Sequence, residues 1–244
     1  MKISKDKKLC EEYIGKHPVI SISLKGINAA SYEAAFELTV KTIKGAVQKA
    51  GFLKMSDKLD EDEKKEYRAI LDENMSEATL FWSLKNLSEL LEKHYETKVI
   101  LLIDEYDVPL AKAFENGYYD KMVFLIRNLL EQTLKTNNSL KFAVMTGCMR
   151  ISKESIFTGL NNLKVLSITD ERFDEYFGFT DEDVKEMLRY YDREDHYEEM
   201  RNWYDGYRFG STDVYCPWDV LNHCDKIKEN AAAFPENYWV HTSS

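Results

Sequence analysis

Residues 98 to 110 read KVILLIDEYDVPL, and within them a run of aliphatics, Val99 to Ile103, ends in three carboxylates within four positions: Asp104, Glu105 and Asp107. Such a run, short and continuously apolar, reads as a parallel strand covered on both faces. Acids at its carboxyl end fall where open α/β sheets bind their ligands. The rest of the chain follows from this strand.

Three further runs have the same character: Val19 to Leu24 (VISISL), Phe142 to Thr146 (FAVMT) and Lys164 to Ile168 (KVLSI). Amphipathic helices separate them. Ser31 is placed as an N-cap before Tyr32, Phe36, Val40, Ile43 and Val47, and Ser76 before Leu80, Leu84, Leu87 and Leu91. Met122, Leu125, Ile126, Leu129 and Leu134 mark another helix, while the charged run from Asp57 to Glu73 reads as a solvated helix or a mobile insertion. Strands alternating with helices predict an α/β domain with a largely parallel sheet. Beyond residue 172 the character changes. Thr180, Glu182 and Asp183 cap a helix, a second leads to Trp203, and WYDGYRFGSTDVYCPWDVL (Trp203 to Leu221) predicts an aromatic-rich turn closed by Pro217 at the start of one more helix. The expected division is a core over 1–172 and a small helical lobe over 173–244.

Composition narrows the function. The chain has 244 residues, 44% hydrophobic and 13% aromatic, enough for one sizeable core or a core with an appended lobe. A net charge of −10 argues against an extended nucleic-acid groove, which needs concentrated Lys and Arg. Four cysteines without CxxC spacing, and no apolar signal-peptide region, point to a reducing, cytoplasmic compartment. No apolar run approaches the roughly 20 residues of a membrane span.

A strand ending in Asp-Glu has a specific chemistry open to it. Asp104 can hold Mg²⁺ through its water shell, and Glu105 can orient or deprotonate a water for in-line attack on a γ-phosphate. This is the pattern of a Walker B strand; the bland alternative is a buried strand whose acids cap the next helix, the role assigned to Asp107. FAVMTGCMR (Phe142 to Arg150) places Thr146 at the end of a neighbouring strand, the sensor 1 position of P-loop enzymes. Arg150 either supplies positive charge to a transition state or forms a surface salt bridge.

Taken together, VILLIDEYDVPL, the segment from Lys141 to Val184 and NWYDGYRFGSTDVYCPWDVLN (Asn202 to Asn222) resemble the bacterial and archaeal AAA-ATPase-like family, predicted P-loop ATPases often followed by a PD-(D/E)XK nuclease-like domain. The resemblance implies a P-loop NTPase-like fold of the additional-strand type, ATP and Mg²⁺ as ligands, Asp104 and Glu105 as Walker B acids, and Thr146 as sensor 1. The chain also departs from the family. It contains no GxxxxGK[ST], and the Gly15-Lys16 pair of YIGKHP is followed by Pro18 and a strand, where a phosphate loop needs a helix. The expectation is therefore a core lacking the P-loop strand and the nuclease-like domain. That strand belongs between Phe142–Thr146 and Lys164–Ile168, so its absence leaves a sheet gap or forces those two to pair.

Two functions follow from different classes. One is an ATPase core impaired in nucleotide binding; the other is a non-catalytic module whose surface around WYDGYRFG binds a partner protein, with homo-oligomers also open. Other constellations are weaker. Cys216, His223 and Cys224 lack the paired spacing of a zinc site, the five histidines are scattered, and Trp203, Tyr204, Tyr207, Phe209 and Trp218 read as a packed lobe core.

Overall fold

Val19–Ser23 (β1), Val99–Asp104 (β2) and Leu140–Met145 (β3) form a parallel sheet in the order β1-β2-β3. The computed structural model describes residues 2–148, 156–157 and 163–239. The chain divides into two units, Met1–Leu163 and Lys164–Ser244.

In the first unit a short helix, Lys7–Tyr13 (α1), precedes β1. Parallel neighbours require crossovers, and helices supply both. Tyr32–Gln48 (α2), Glu61–Ile70 (α3) and Glu77–Tyr95 (α4) link β1 to β2, and Val108–Glu115 (α5) and Tyr119–Leu134 (α6) link β2 to β3. The caps lie where the sequence put them. Ser31 accepts a hydrogen bond from the Ala34 amide at 3.3 Å and Ser76 one from the Thr79 amide at 3.1 Å. The charged run forms α3, opened by a capping box of Asp60 and Glu63, and its Tyr67 is fully buried with its hydroxyl donating to the Val47 carbonyl at 2.9 Å.

The strands are not covered on both faces, as continuous apolarity predicted. Ile20, Ile22, Leu101 and Ile103 point into a core shared with Ile43, Leu84, Leu87 and Ile126 from the helices, and each such buried side chain contributes about 1.5–3 kcal/mol. The side chains between them point the other way. Val19, Leu102, Phe142 and Val144 are all exposed, Val19 to 53%. The packing helices gather on one face, so strand side chains alternate between core and open surface.

The fourth expected strand, Lys164–Ile168, is not a strand. Its residues are exposed and belong to no sheet among the described residues, although the Ile168 carbonyl accepts from the Gly210 amide at 2.8 Å. A local turn ends the extended run: the Ser167 amide and hydroxyl both donate to Asp170 Oδ2, at 2.6 and 2.9 Å. In the first unit, the outer edge of β3 has no strand partner among the described residues.

The second unit is not purely helical. Asp181–Tyr190 (α7), Tyr197–Tyr204 (α8) and Pro217–Glu229 (α9) pack with an antiparallel hairpin, Asp205–Phe209 (β4) and Thr212–Tyr215 (β5), where the sequence suggested only a turn. Gly210 makes the reversal possible at φ +51°, and a Cβ there would lie 2.7 Å from the Asp170 carbonyl oxygen. Nor do all the aromatics form the lobe core. Tyr204 is buried with Val184, Leu188, Met200 and Val220, whereas Trp203, Tyr207 and Trp218 are exposed.

Asp181 ties this unit together. Its Oδ1 accepts from the hydroxyls of Tyr197 at 2.7 Å and Tyr215 at 2.8 Å, and its Oδ2 meets Lys185 Nζ at 2.6 Å. Burial pushes the carboxyl up, but Lys185 and the two tyrosines outweigh it and hold it below its usual pKa. Asp181→Ala, which leaves two tyrosine hydroxyls without their acceptor, is expected to destabilise the unit by about 1–3 kcal/mol in urea unfolding. A carboxylate with a lowered folded pKa stabilises fully above its unfolded value, near 3.9, and loses that contribution as pH falls through the folded one. The wild-type advantage over Asp181→Ala should therefore shrink below about pH 3.9 and be constant from pH 5 to pH 7.

Candidate functional site

The carboxyl edge of the sheet gathers the residues singled out by sequence. β1 and β2 pair in register, Ser23 beside Asp104, and β2 and β3 pair with Ile103 beside Met145. One step further along β3 lies Thr146. It shares the open face with Asp104 because side chains of parallel neighbours in register alternate together. Its hydroxyl donates to Asp104 Oδ1.

Backbone bonds extend the ladders past the strands and make this edge rigid. The Leu24 amide donates to the Asp104 carbonyl at 2.9 Å, the Thr146 amide to the Ile103 carbonyl at 2.9 Å, and the Tyr106 amide to the Thr146 carbonyl at 3.1 Å. Between them Glu105 adopts a left-handed backbone, φ +53°. That conformation costs a non-glycine residue on the order of 1 kcal/mol, and such strain is concentrated at functional sites. It turns the Glu105 side chain out of the strand alternation. Oε1 lies 4.0 Å from Lys25 Nζ, while Oε2 is buried with no hydrogen-bond partner among the described residues. A buried carboxylate oxygen left without a donor is rare and asks for a water or an ion.

The surroundings fix the edge. Asp107 occupies the N-cap position of α5 and is only 2% exposed, but its side chain makes no cap bond. Gly147 follows Thr146 with no room for a side chain: a Cβ would fall 2.7 Å from both Asp107 Oδ1 and Tyr106 Cε1. Tyr106 in turn stacks edge-on against Phe157, ring centres 5.4 Å apart. Lys25 and Gly147 were not picked out by sequence. Lys25 carried no signal beyond its charge; Gly147 carried one, since a glycine directly after a strand that delivers a functional side chain suggests close approach.

Asp104, Glu105 and Thr146 are thus brought together, while Arg150 lies outside the described residues. The donor set, two carboxylates and a hydroxyl on a polar edge with an unpartnered buried oxygen, suits a hydrated hard cation such as Mg²⁺. The Gly15-Lys16 pair lies between α1 and β1, helix before and strand after, which is the reverse of a phosphate-binding loop. No helix among the described residues is long and apolar enough to cross a membrane.

The family described as "Predicted AAA-ATPase" matches residues 2–157. A curated relative from Azotobacter chroococcum mcd 1, described as "Uncharacterized protein in vnfD 5'region", is 33% identical over 137 residues, which cover 51% of this chain and 24% of the relative. The chain therefore spans about a quarter of that protein's length. No solved structure matches.

Proposed function

Since the chain belongs to the predicted AAA-ATPase family, we propose that the carboxyl edge of its sheet is the Mg²⁺-nucleotide edge of an ATPase core. The observation that carries this reading is the junction of β2 and β3: a threonine hydroxyl holding Asp104, beside a strained Glu105 with a buried, unpartnered oxygen.

Each residue then has a task. Asp104, its orientation set by Thr146, would hold the cation through its water shell. Glu105 Oε2 accepts a proton from the water that attacks the γ-phosphate, and Lys25 offsets negative charge at Oε1. Magnesium, held by Asp104 and Glu105, would supply positive charge to offset that of the phosphates. Arg150 supplies positive charge to the transition state in this scheme. The strand order supports the P-loop type, because in the additional-strand fold the phosphate-loop strand lies beside the strand equivalent to β3, on the edge that has no partner among the described residues.

These 244 residues carry no GxxxxGK[ST], so most backbone contacts to the phosphates are missing from their repertoire. The purified chain is accordingly expected to bind Mg²⁺-nucleotide weakly and to show no ATP turnover above background. Turnover by the chain alone that Asp104→Ala or Glu105→Ala abolishes would contradict this.

A second reading has its own observation. Trp203, Tyr207 and Trp218 are exposed in the second unit, and large exposed aromatics favour protein partners. If the chain is purely such a module, neither ATP nor ADP with Mg²⁺ should perturb it.

A further inference from the structure

The second unit brings together two of the five histidines that look scattered in the sequence. His196 ends a short 3-10 turn, Glu194–His196, that runs into α8, so Glu199 follows three residues later on the same side. From α9 His223 enters the same place, fully buried, its ring centre 6.1 Å from that of His196. The donor atoms of His196, Glu199 and His223 all lie within 4.8 Å of one another.

The hydrogen bonds decide which atoms converge. His196 Nε2 is 3.0 Å from the Ala231 carbonyl oxygen, which can only accept, so Nε2 carries the proton. In the neutral ring Nδ1 then presents a lone pair, 2.9 Å from Glu199 Oε2, itself an acceptor. Two acceptors at that separation need a positive centre between or beside them. His223 sharpens the choice. Its Nδ1 lies 3.4 Å from the Tyr238 hydroxyl, and its Nε2, 3.9 Å from the same Glu199 oxygen, is buried without a hydrogen-bond partner among the described residues. A second proton on His196 would satisfy Glu199 and leave the buried His223 Nε2 unpaired, which proteins avoid. Lys226, on the same helix as His223, does not fill the gap: it is held by Glu236 Oε1 at 2.6 Å.

We propose that His196 Nδ1, Glu199 Oε2 and His223 Nε2 form a site for one divalent transition-metal ion of the zinc class. Two histidines and a carboxylate are a recognised zinc donor set, and bonds of about 2.0–2.1 Å place tetrahedral donors about 3.3 Å apart, between the 2.9 and 3.9 Å seen here. The outer shell is also in place. Ligating histidines characteristically give their other ring nitrogen to a carbonyl or another polar group, as His196 does to Ala231 and His223 to Tyr238. Glu199, with 31% of its side chain exposed, marks the side from which the ion enters and where a fourth ligand, water, completes the shell.

The test uses the full chain, stripped with a chelator and titrated with Zn²⁺ by calorimetry and with Co²⁺ by visible absorption. One equivalent of each metal is expected, with the intense visible bands of four-coordinate cobalt and a raised unfolding temperature in Zn²⁺. Glu199→Gln, at a partly exposed position and with its fold checked by circular dichroism, should abolish one-equivalent binding, and His223→Gln should do the same. Should His223→Gln fail to fold, Glu199→Gln decides alone. No stoichiometric uptake, or uptake undiminished by Glu199→Gln because the metal sits on Cys10, Cys148, His17 or His94, overturns the proposal.

Discussion

Gly147→Ala is expected to destabilise the first unit by about 2–3 kcal/mol, the upper part of the range for overpacking. A Cβ there would sit 2.7 Å from Asp107 Oδ1 and from Tyr106 Cε1, well inside contact distance. Neither neighbour can yield freely. Asp107 is buried at the head of α5, and the Tyr106 ring is backed by Phe157. Relief would have to come from the backbone after β3, which also carries the Thr146 carbonyl that the Tyr106 amide holds. The same substitution at Gly45 is the control. Gly45 lies inside α2 with nothing within 4 Å of its would-be Cβ, so Ala should stabilise by about 0.5–1 kcal/mol. Urea unfolding of both variants reads opposite signs; equal effects would mean that Gly147 is not packed as described.

Asp104→Ala should weaken Mg²⁺-dependent nucleotide binding at least tenfold, about 1.4 kcal/mol or more, while leaving stability within about 0.5 kcal/mol because the residue is exposed. The reasoning is electrostatic. Where the amide cradle of a phosphate loop is not available, a larger share of the binding falls to the cation, and Asp104 is the carboxylate that Thr146 holds in place for it. Affinity for nucleotide in the absence of Mg²⁺ should not change. An Asp104→Ala protein with unaltered Mg²⁺ dependence would assign the acid a structural role and favour the interaction-module reading.

How much of this could be read beforehand depends on the range of the forces involved. β1, β2, β3 and the caps at Ser31, Ser76 and Thr180 were legible because hydrophobic period and side-chain-to-backbone bonds act within a few residues. Asp104 beside Thr146 was legible too, since both close apolar runs that the topology makes neighbours. Lys164–Ile168 misled for a local reason: its apolar residues match a strand, but Ser167 and Asp170 fold the backbone into a turn. The hairpin β4–β5 was missed although Gly210-Ser211 is a two-residue loop between aromatic and β-branched runs, which is a hairpin signal. The left-handed turn at Glu105 and the meeting of His196 with His223 were not legible, because tertiary packing imposes both. The open face of the sheet belongs with them. An exposed Val144 and a buried Leu101 look alike in a string of apolar letters.

The central claim is that Asp104, Glu105 and Thr146 form a cation-nucleotide edge, and paramagnetic relaxation tests it most directly. Mn²⁺ stands in for Mg²⁺ and broadens nearby amide resonances even when binding is weak. Titrating the chain with Mn²⁺-ADP is predicted to broaden Leu24, Asp104, Glu105 and Gly147 first, with the effect lost in Asp104→Ala. If those amides stay sharp while others broaden, or if Asp104→Ala broadens as wild type does, the edge is not a nucleotide site.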